Sequence, residues 1–196
     1  MISLLVAIKR ALPGLWNVAE RINGFLFRLR WRNISHIASE VLRDTAPEGV
    51  EFSLVSKQDL AALSSFLESQ PEDSFRFFRP HLFDVRTLSR LFHNDSFIMM
   101  KSVDTEGRMT GYFFLRCFFI RVAFAGLIVD KGHWNRGIGR SMWASCMEIC
   151  RRSRLRMFAT IADENYPSLK SCGHGTSMKV RKQMSKGYSL IECKSK

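Results

Sequence analysis

The segment Val129-Asp130-Lys131-Gly132-His133-Trp134-Asn135-Arg136-Gly137-Ile138-Gly139-Arg140 has the composition of a phosphate-binding turn. It joins a strand-like apolar run, residues 122–129, to a helix-like run, residues 139–152. A glycine-rich passage from strand to helix leaves backbone N–H groups bare, and the helix N-terminus adds the positive end of its dipole. Asn135, Arg136 and Arg140 add polar and cationic reach. Two common phosphate motifs are excluded. A dinucleotide fingerprint requires a third glycine where Met142 stands, and a P-loop requires Gly-Lys followed by Ser or Thr. On the residues alone, the segment is either a site for another phosphorylated cofactor or an ordinary turn with two glycines.

A second stretch, Phe75-Arg76-Phe77-Phe78-Arg79-Pro80-His81, interleaves aromatics and cations. Such mixing stacks the bases of single-stranded nucleic acid, or equally holds a sugar ring while pairing a diphosphate. Cys172 and His174 are spaced like a metal pair, but no second pair completes a site, so no metal is expected.

The glycine turn resembles the pyrophosphate-binding motif of the GNAT superfamily of acetyl-CoA-dependent N-acetyltransferases. That motif reads Arg or Gln, two residues, Gly, any residue, Gly or Ala, with a Val five positions before its first residue. Val129 and Gly137-Ile138-Gly139 match, and Trp134 replaces the Arg or Gln. Met109-Thr110-Gly111-Tyr112 is similar to the family's hydrophobic-x-Gly-aromatic strand start. Asn165, Ser168 and Gly187-Tyr188 are similar to its late Asn-x-x-Ser and closing Gly-aromatic pair, here set further apart by an insertion at 171–177. The resemblance implies that acetyl-CoA is the cosubstrate. It implies that backbone amides of Leu127, Ile128 and Val129 hold the pantetheine and polarise the thioester. Trp134, Asn135, Arg136, Gly137, Ile138, Gly139 and Arg140 would hold the pyrophosphate, and Asn165 the pantetheine arm or the late helix.

Acetyl transfer by direct attack also needs a base for the amine. Many family members carry a Glu on the strand leading to the Val; residues 120–129 contain none. His81, Asp130 and His133 are the candidates. His81 is the choice for catalysis, because its segment often lines the acceptor pocket in this family and imidazole titrates in the useful range. Asp130 is expected to support the loop, and His133 to meet cofactor or solvent. The family's usual thiolate acid, a Tyr, would fall at Cys172, which leaves Tyr166, Tyr188 and His174. The segment around His81 is similar to one in acetyltransferases associated with bacterial surface-polysaccharide synthesis, which implies a small, anionic amine acceptor such as an amino-sugar nucleotide. The alternative is a non-catalytic GNAT-fold binding protein that uses its basic face for an anionic membrane or nucleic acid, nucleic acid being the weaker partner.

These residues must be positioned by a chain of 196 residues, 46% of them hydrophobic, enough for one well-packed domain with a small appendage. Strands are expected at 51–56, 96–103, 108–117, 120–130, 157–161 and 188–193. Helices are expected at 57–69 (capped by Ser56), 84–93, 139–152, 165–171 and 180–185. The order implies an α/β (α+β) fold, GNAT-like, with a mixed, mostly antiparallel central sheet flanked by helices. Residues 1–46 read as an N-terminal helical extension, separated by Pro47 and Gly49 from the domain at 51–196. Within it Leu15, Val18, Ala19, Ile22, Phe25, Leu26 and Leu29 recur at helical spacing, with Arg21, Arg28 and Arg32 on another face. That helix suits packing on the domain, a homodimer contact, or a peripheral place on a membrane.

The net charge is +12, and 14 of the 30 basic side chains lie after residue 130 against 4 of the 18 acidic ones. This suits a polyanionic cosubstrate. Five Cys in an odd, irregular set, with no signal-like N-terminus, imply free thiols in a reducing, cytoplasmic setting.

Overall fold

The computed structural model describes residues 13–195. Helices α1 (Pro13–Arg30) and α2 (Ile34–Thr45) precede strand β1 (Val50–Leu54). A 3-10 turn at Lys57–Asp59 leads into α3 (Leu60–Glu68), followed by the single turn α4 (Glu72–Phe75) and α5 (Val85–Phe92). Strands β2 (Phe97–Asp104), β3 (Met109–Phe118) and β4 (Val122–Val129) form the antiparallel run expected from their tight turns. Helix α6 (Ile138–Arg152), β5 (Arg156–Ala162), α7 (Tyr166–Gly175), β6 (Ser177–Met184) and β7 (Tyr188–Lys194) complete the chain.

Local chemistry sets several of these boundaries. Ser56 and Asp59 form a reciprocal capping box before α3, and the Asp84 carboxylate accepts the Thr87 amide at 2.9 Å to start α5. Asp104 accepts the amides of Glu106 and Arg108, which closes the β2–β3 turn with Gly107 at φ +77°.

The seven strands form one sheet in the order β1-β2-β3-β4-β5-β7-β6, mixed and mostly antiparallel. Its two faces carry separate cores. On one, α2 and α6 bury Ala38, Val41, Leu42, Met142, Trp143 and Cys146. On the other, α3 and α5 bury Leu63, Leu67 and Leu88 against Phe97, Tyr112 and Phe114. The one parallel contact, β4 with β5, covers only Val122–Phe124 and Arg156–Phe158. Beyond it the two strands part, and the sheet opens in the middle.

One expectation is corrected. The helix expected at 180–185 is strand β6, paired with β7 through a turn in which Lys186 and Gly187 have φ of +67° and +70°. An edge strand with both faces in solvent has no buried alternation to display, and Lys179, Arg181 and Lys182 on it discourage further pairing. The helices before residue 46 pack on the rest of the chain. Phe27, Ile34, Ala38, Val41 and Leu42 belong to the same cluster as α6, the Trp31 indole donates to the Ser153 carbonyl at 2.9 Å, and Thr45 meets Ser145 at 2.6 Å. Pro47 and Gly49 lie in the turn into β1, where the Val50 amide donates to the Pro47 carbonyl at 3.2 Å.

Candidate active site

Strand β4 supplies the backbone of the site. It pairs with β3 along its whole length, and the amide of Asp130 reaches the Thr110 carbonyl at 2.8 Å. Antiparallel alternation therefore turns the amides of Ile128 and Gly126 toward β3, and those of Leu127 and Val129 toward the gap that β5 leaves. Of the three residues expected to offer amides, Leu127 and Val129 face the gap with theirs, and the Ile128 amide faces β3.

The glycine turn lies at the end of this gap. Gly137 adopts φ +81° as the N-cap of α6, a left-handed conformation in which glycine carries no Cβ penalty. A Cβ built there meets nothing within 4 Å, so the space in front of the turn is open. Ser141 is the first residue of the helix to bond back, to the Gly137 carbonyl at 3.0 Å. The amides of Ile138, Gly139 and Arg140 lack an intrahelical partner and point out of the helix end. Arg136 lies in the turn and Arg140 in the first turn of the helix, and both are exposed.

The loop before the turn is braced from within. The Asp130 carboxylate accepts the Gly132 amide at 3.0 Å, His133 Nδ1–H at 2.8 Å and Gln70 at 3.3 Å. Burial raises the Asp130 pKa, but these bonds, led by His133, outweigh it and hold the carboxyl below its ordinary value. Asp130 is thus a loop support, as expected. His133, expected at the cofactor or in solvent, is half-buried between Asp130 and Asp104. Trp134 replaces the motif's Arg or Gln and acts within the loop instead. Its indole N–H donates to the Val129 carbonyl at 2.9 Å and ties the loop to the end of β4. Asn165 caps α7 by accepting the Ser168 amide at 3.1 Å.

At the other end of the gap is a cavity of about 860 Å³ under the 75–82 segment. Phe97, Phe114, Phe124 and Gly126 form its floor, and Thr160 and Tyr188 its far wall. Gly126 is required there, because a Cβ would lie 2.5 Å from the Phe114 ring. His81 lines the same cavity, its ring caged by Phe83, Phe97, Tyr112 and Phe114 at 5.7–6.1 Å between centroids. A carbonyl can only accept, so His81 Nδ1–H donates to Leu82 at 2.8 Å and the lone pair is on Nε2. Nε2 stands 3.2 Å from the Tyr112 hydroxyl. Burial lowers the His81 pKa below its ordinary value, beyond what the Leu82 hydrogen bond and Asp84 restore, and burial alone pushes the Tyr112 phenol far up. A neutral imidazole and a protonated phenol follow at neutral pH.

Arg76, Arg79, Arg90 and Arg116 also line the cavity, with Glu20 as its one carboxylate. Arg116 pairs with Glu20, and Arg76 with Glu164 across the mouth. Among the described residues, Arg79 and Arg90 form no ion pair. The position expected for a family Tyr is in the core: Cys172 is fully buried, 3.7 Å from Cys193 Sγ. Of the other candidate acids, Tyr188 reaches the cavity and Tyr166 is exposed elsewhere. The stretch at 171–177 is continuous with the elements on either side of it. It holds the last turn of α7, which ends at Gly175 where the helix touches α6, then the cap Thr176 and Ser177, the first residue of β6.

Gly126, Thr160, Arg90 and Arg116, which line this cavity, and the buried Tyr112, which backs His81, were not singled out by sequence for these places. Only Gly126 carried a local signal, as a glycine inside an apolar strand.

A family model described as Acetyltransferase (GNAT) family matches residues 62–172. No curated protein matches the chain significantly. Among solved structures, the ribosomal-protein-S5-alanine acetyltransferase from Vibrio fischeri aligns with a TM-score of 0.65 at 15% identity, over 76% of this chain and 94% of that one. The yncA protein from Salmonella typhimurium, solved with its cofactor acetyl-CoA, gives 0.57 at 19% identity over 74% and 92%. AAC(6')-Ib, solved in complex with paromomycin and acetyl-CoA, gives 0.59 at 14% identity over 76% and 94%. At such identities the likeness is one of fold.

Proposed function

Because the chain belongs to the GNAT acetyltransferase family, we propose that it moves the acetyl group of acetyl-CoA onto the primary amine of a small, anionic acceptor, of the kind an amino-sugar nucleotide represents. The observation that carries this reading is the continuity of the β4–β5 gap, which has a glycine turn with bare amides at one end and the His81 cavity at the other. The turn fits a pyrophosphate: amides of Ile138, Gly139 and Arg140 point outward, the space at Gly137 is open, and Arg136 and Arg140 are exposed close by in the chain.

In this reading the Leu127 and Val129 amides face the pantetheine, and one of them polarises the thioester carbonyl. The amine nitrogen attacks that carbon, and the new N–C bond replaces the C–S bond. His81 takes the amine proton on Nε2 once the Tyr112 hydroxyl, which faces that nitrogen at 3.2 Å, has turned its own proton away, and the ring stays held through Nδ1–H and the Leu82 carbonyl. The thiolate leaves and is protonated from Tyr188 or from water. Arg79 and Arg90 pair the acceptor's phosphate or carboxylate, and the Phe floor packs its flat or apolar part. Two of the structures above are named for different acceptors, a ribosomal protein and an aminoglycoside complex, so the acceptor class rests on this chain's own cavity.

The test is calorimetry with acetyl-CoA, followed by thiol release against amino-sugar nucleotides, their unphosphorylated amino sugars, an aminoglycoside, polyamines and an N-terminal peptide. The expected result is binding, with fastest release on the phosphorylated sugars and a raised KM for them in Arg79→Ala and Arg90→Ala. Binding without release on any amine would make the protein a non-catalytic member of its family, and release favouring uncharged acceptors would overturn the anionic assignment.

A further inference from the structure

Among the described residues, one face of α1 has no cover. Val18, Ile22, Phe25 and Leu29 follow at intervals of four, three and four residues and are 52%, 54%, 53% and 47% exposed. At 3.6 residues per turn they fall within an arc of about 60°. The opposite face is fixed to the domain. Phe27 is fully buried, and the Asn23 side chain bonds Ser96, the Cys117 carbonyl and the Phe119 amide at 3.0–3.1 Å. The helix therefore cannot roll to hide its apolar stripe. Arg21 and Arg28 run along one flank, and Arg32 follows in the next turn of chain. On α1 itself Glu20 lies on the far side, paired with Arg116, and the one carboxylate beside the Arg flank is Asp95, which meets Arg28 at 3.8 Å in an exposed pair that a lipid phosphate can replace.

Contiguous exposed apolar surface of this kind marks a contact face. A second copy of the chain is a poor match, because a twofold pairing of this helix would set Arg21 and Arg28 against their own copies. An anionic bilayer matches both parts, since the apolar side chains enter the headgroup boundary while the guanidinium groups meet lipid phosphates. Among the described residues no helix is long and apolar enough to cross a membrane, which leaves the in-plane arrangement. The net charge of +12 adds long-range attraction. We propose that α1 seats the protein on an anionic lipid surface, with Val18, Ile22, Phe25 and Leu29 in the headgroup boundary and Arg21 and Arg28 among the phosphates. The seat has a functional consequence. A groove of about 420 Å³ between α1 and α5, lined by Arg21, Phe25 and Arg28, shares Glu20, Arg90 and Asn94 with the acceptor cavity, so the active site opens beside the membrane.

The test is co-sedimentation of the full chain, without acetyl-CoA, with vesicles of phosphatidylcholine alone or mixed with phosphatidylglycerol. Binding is expected to the mixed vesicles only, and to weaken steeply as salt rises to about 1 M, where the screening length falls to about 3 Å. Arg21→Gln and Arg28→Gln are each expected to cost about fivefold, and Ile22→Ser with Phe25→Ser at least about tenfold, with thermal midpoints unchanged. No binding to mixed vesicles, or binding that survives loss of the stripe, overturns the proposal. So does a dimer by light scattering that Phe25→Ser dissolves. The readout involves no acetyl transfer, so the proposed chemistry can fail without affecting it.

Discussion

His81 has one nitrogen committed to the Leu82 carbonyl and the other turned to the Tyr112 hydroxyl, and that division decides what it can do. Only Nε2 can accept a proton, and burial keeps the ring neutral at pH values where a solvated histidine is partly charged. A neutral base works above its pKa. Turnover is therefore expected to be on its plateau at pH 7 and to fall only as pH drops through a value below the ordinary 6.5. His81→Ala should reduce kcat by about 10²–10⁴ and leave acetyl-CoA affinity unchanged. A loss of less than about tenfold would make His81 a positioning residue. At the other end of the gap, Gly137→Asp puts a carboxylate into the open space before the amides, and calorimetry should find acetyl-CoA binding lost. Gly137→Asn separates charge from bulk, because Asn is isosteric with Asp and both tolerate the left-handed conformation that the residue holds at φ +81°. Equal loss in both variants would show that side-chain bulk before the amides, and not repulsion of a pyrophosphate, is what matters there.

Elements transmit to the site through close contacts. Helices α6 and α7 meet where Gly175 lies under the first turns of α6. A Cβ at Gly175 would stand 2.6 Å from the Arg140 carbonyl and 2.9 Å from Trp143 Cβ. Backbone cannot yield as a flexible side chain does, so Gly175→Ala should force the helices apart at a cost of about 1–3 kcal/mol. It should also weaken acetyl-CoA binding, because Arg140 belongs to the phosphate turn. Gly173→Ala is the control: its Cβ meets only the flexible end of Met178, at 3.1 Å. Denaturant midpoints and acetyl-CoA titrations of the two variants check this. An unchanged Gly175→Ala would mean that the α6–α7 contact does not fix the turn.

For the whole molecule, the first helices are part of the fold. Phe27, Ile34, Ala38, Val41 and Leu42 are all buried in the α6 core. Truncating a single large core side chain costs about 2–5 kcal/mol, while a domain of this kind has about 5–15 kcal/mol in total. Deleting residues 1–46 should therefore leave a chain without a cooperative unfolding transition, as circular dichroism on heating would show. A folded deletion that still binds acetyl-CoA would support the boundary at residue 46.

What could be read from the sequence was what is local. The glycine turn, the caps at Ser56 and Asp84, the Asp104 turn and the β2–β4 run each depend on residues within a few positions of one another, and their chemistry is visible along the chain. The family resemblance rested on the same local features. The tertiary structure decided everything that depends on distant partners. It placed Tyr112 against His81, gathered four arginines around one cavity, put Cys172 in the core, made an exposed charged stretch into β6, and bound α2 to α6. The amide orientations belong with these, because which residues of β4 offer their amides depends on which neighbour the strand pairs with. Periodicity tells which residues share a face, but only packing determines what that face meets, and α1 shows the difference: its buried side meets the sheet, and its apolar stripe stays exposed.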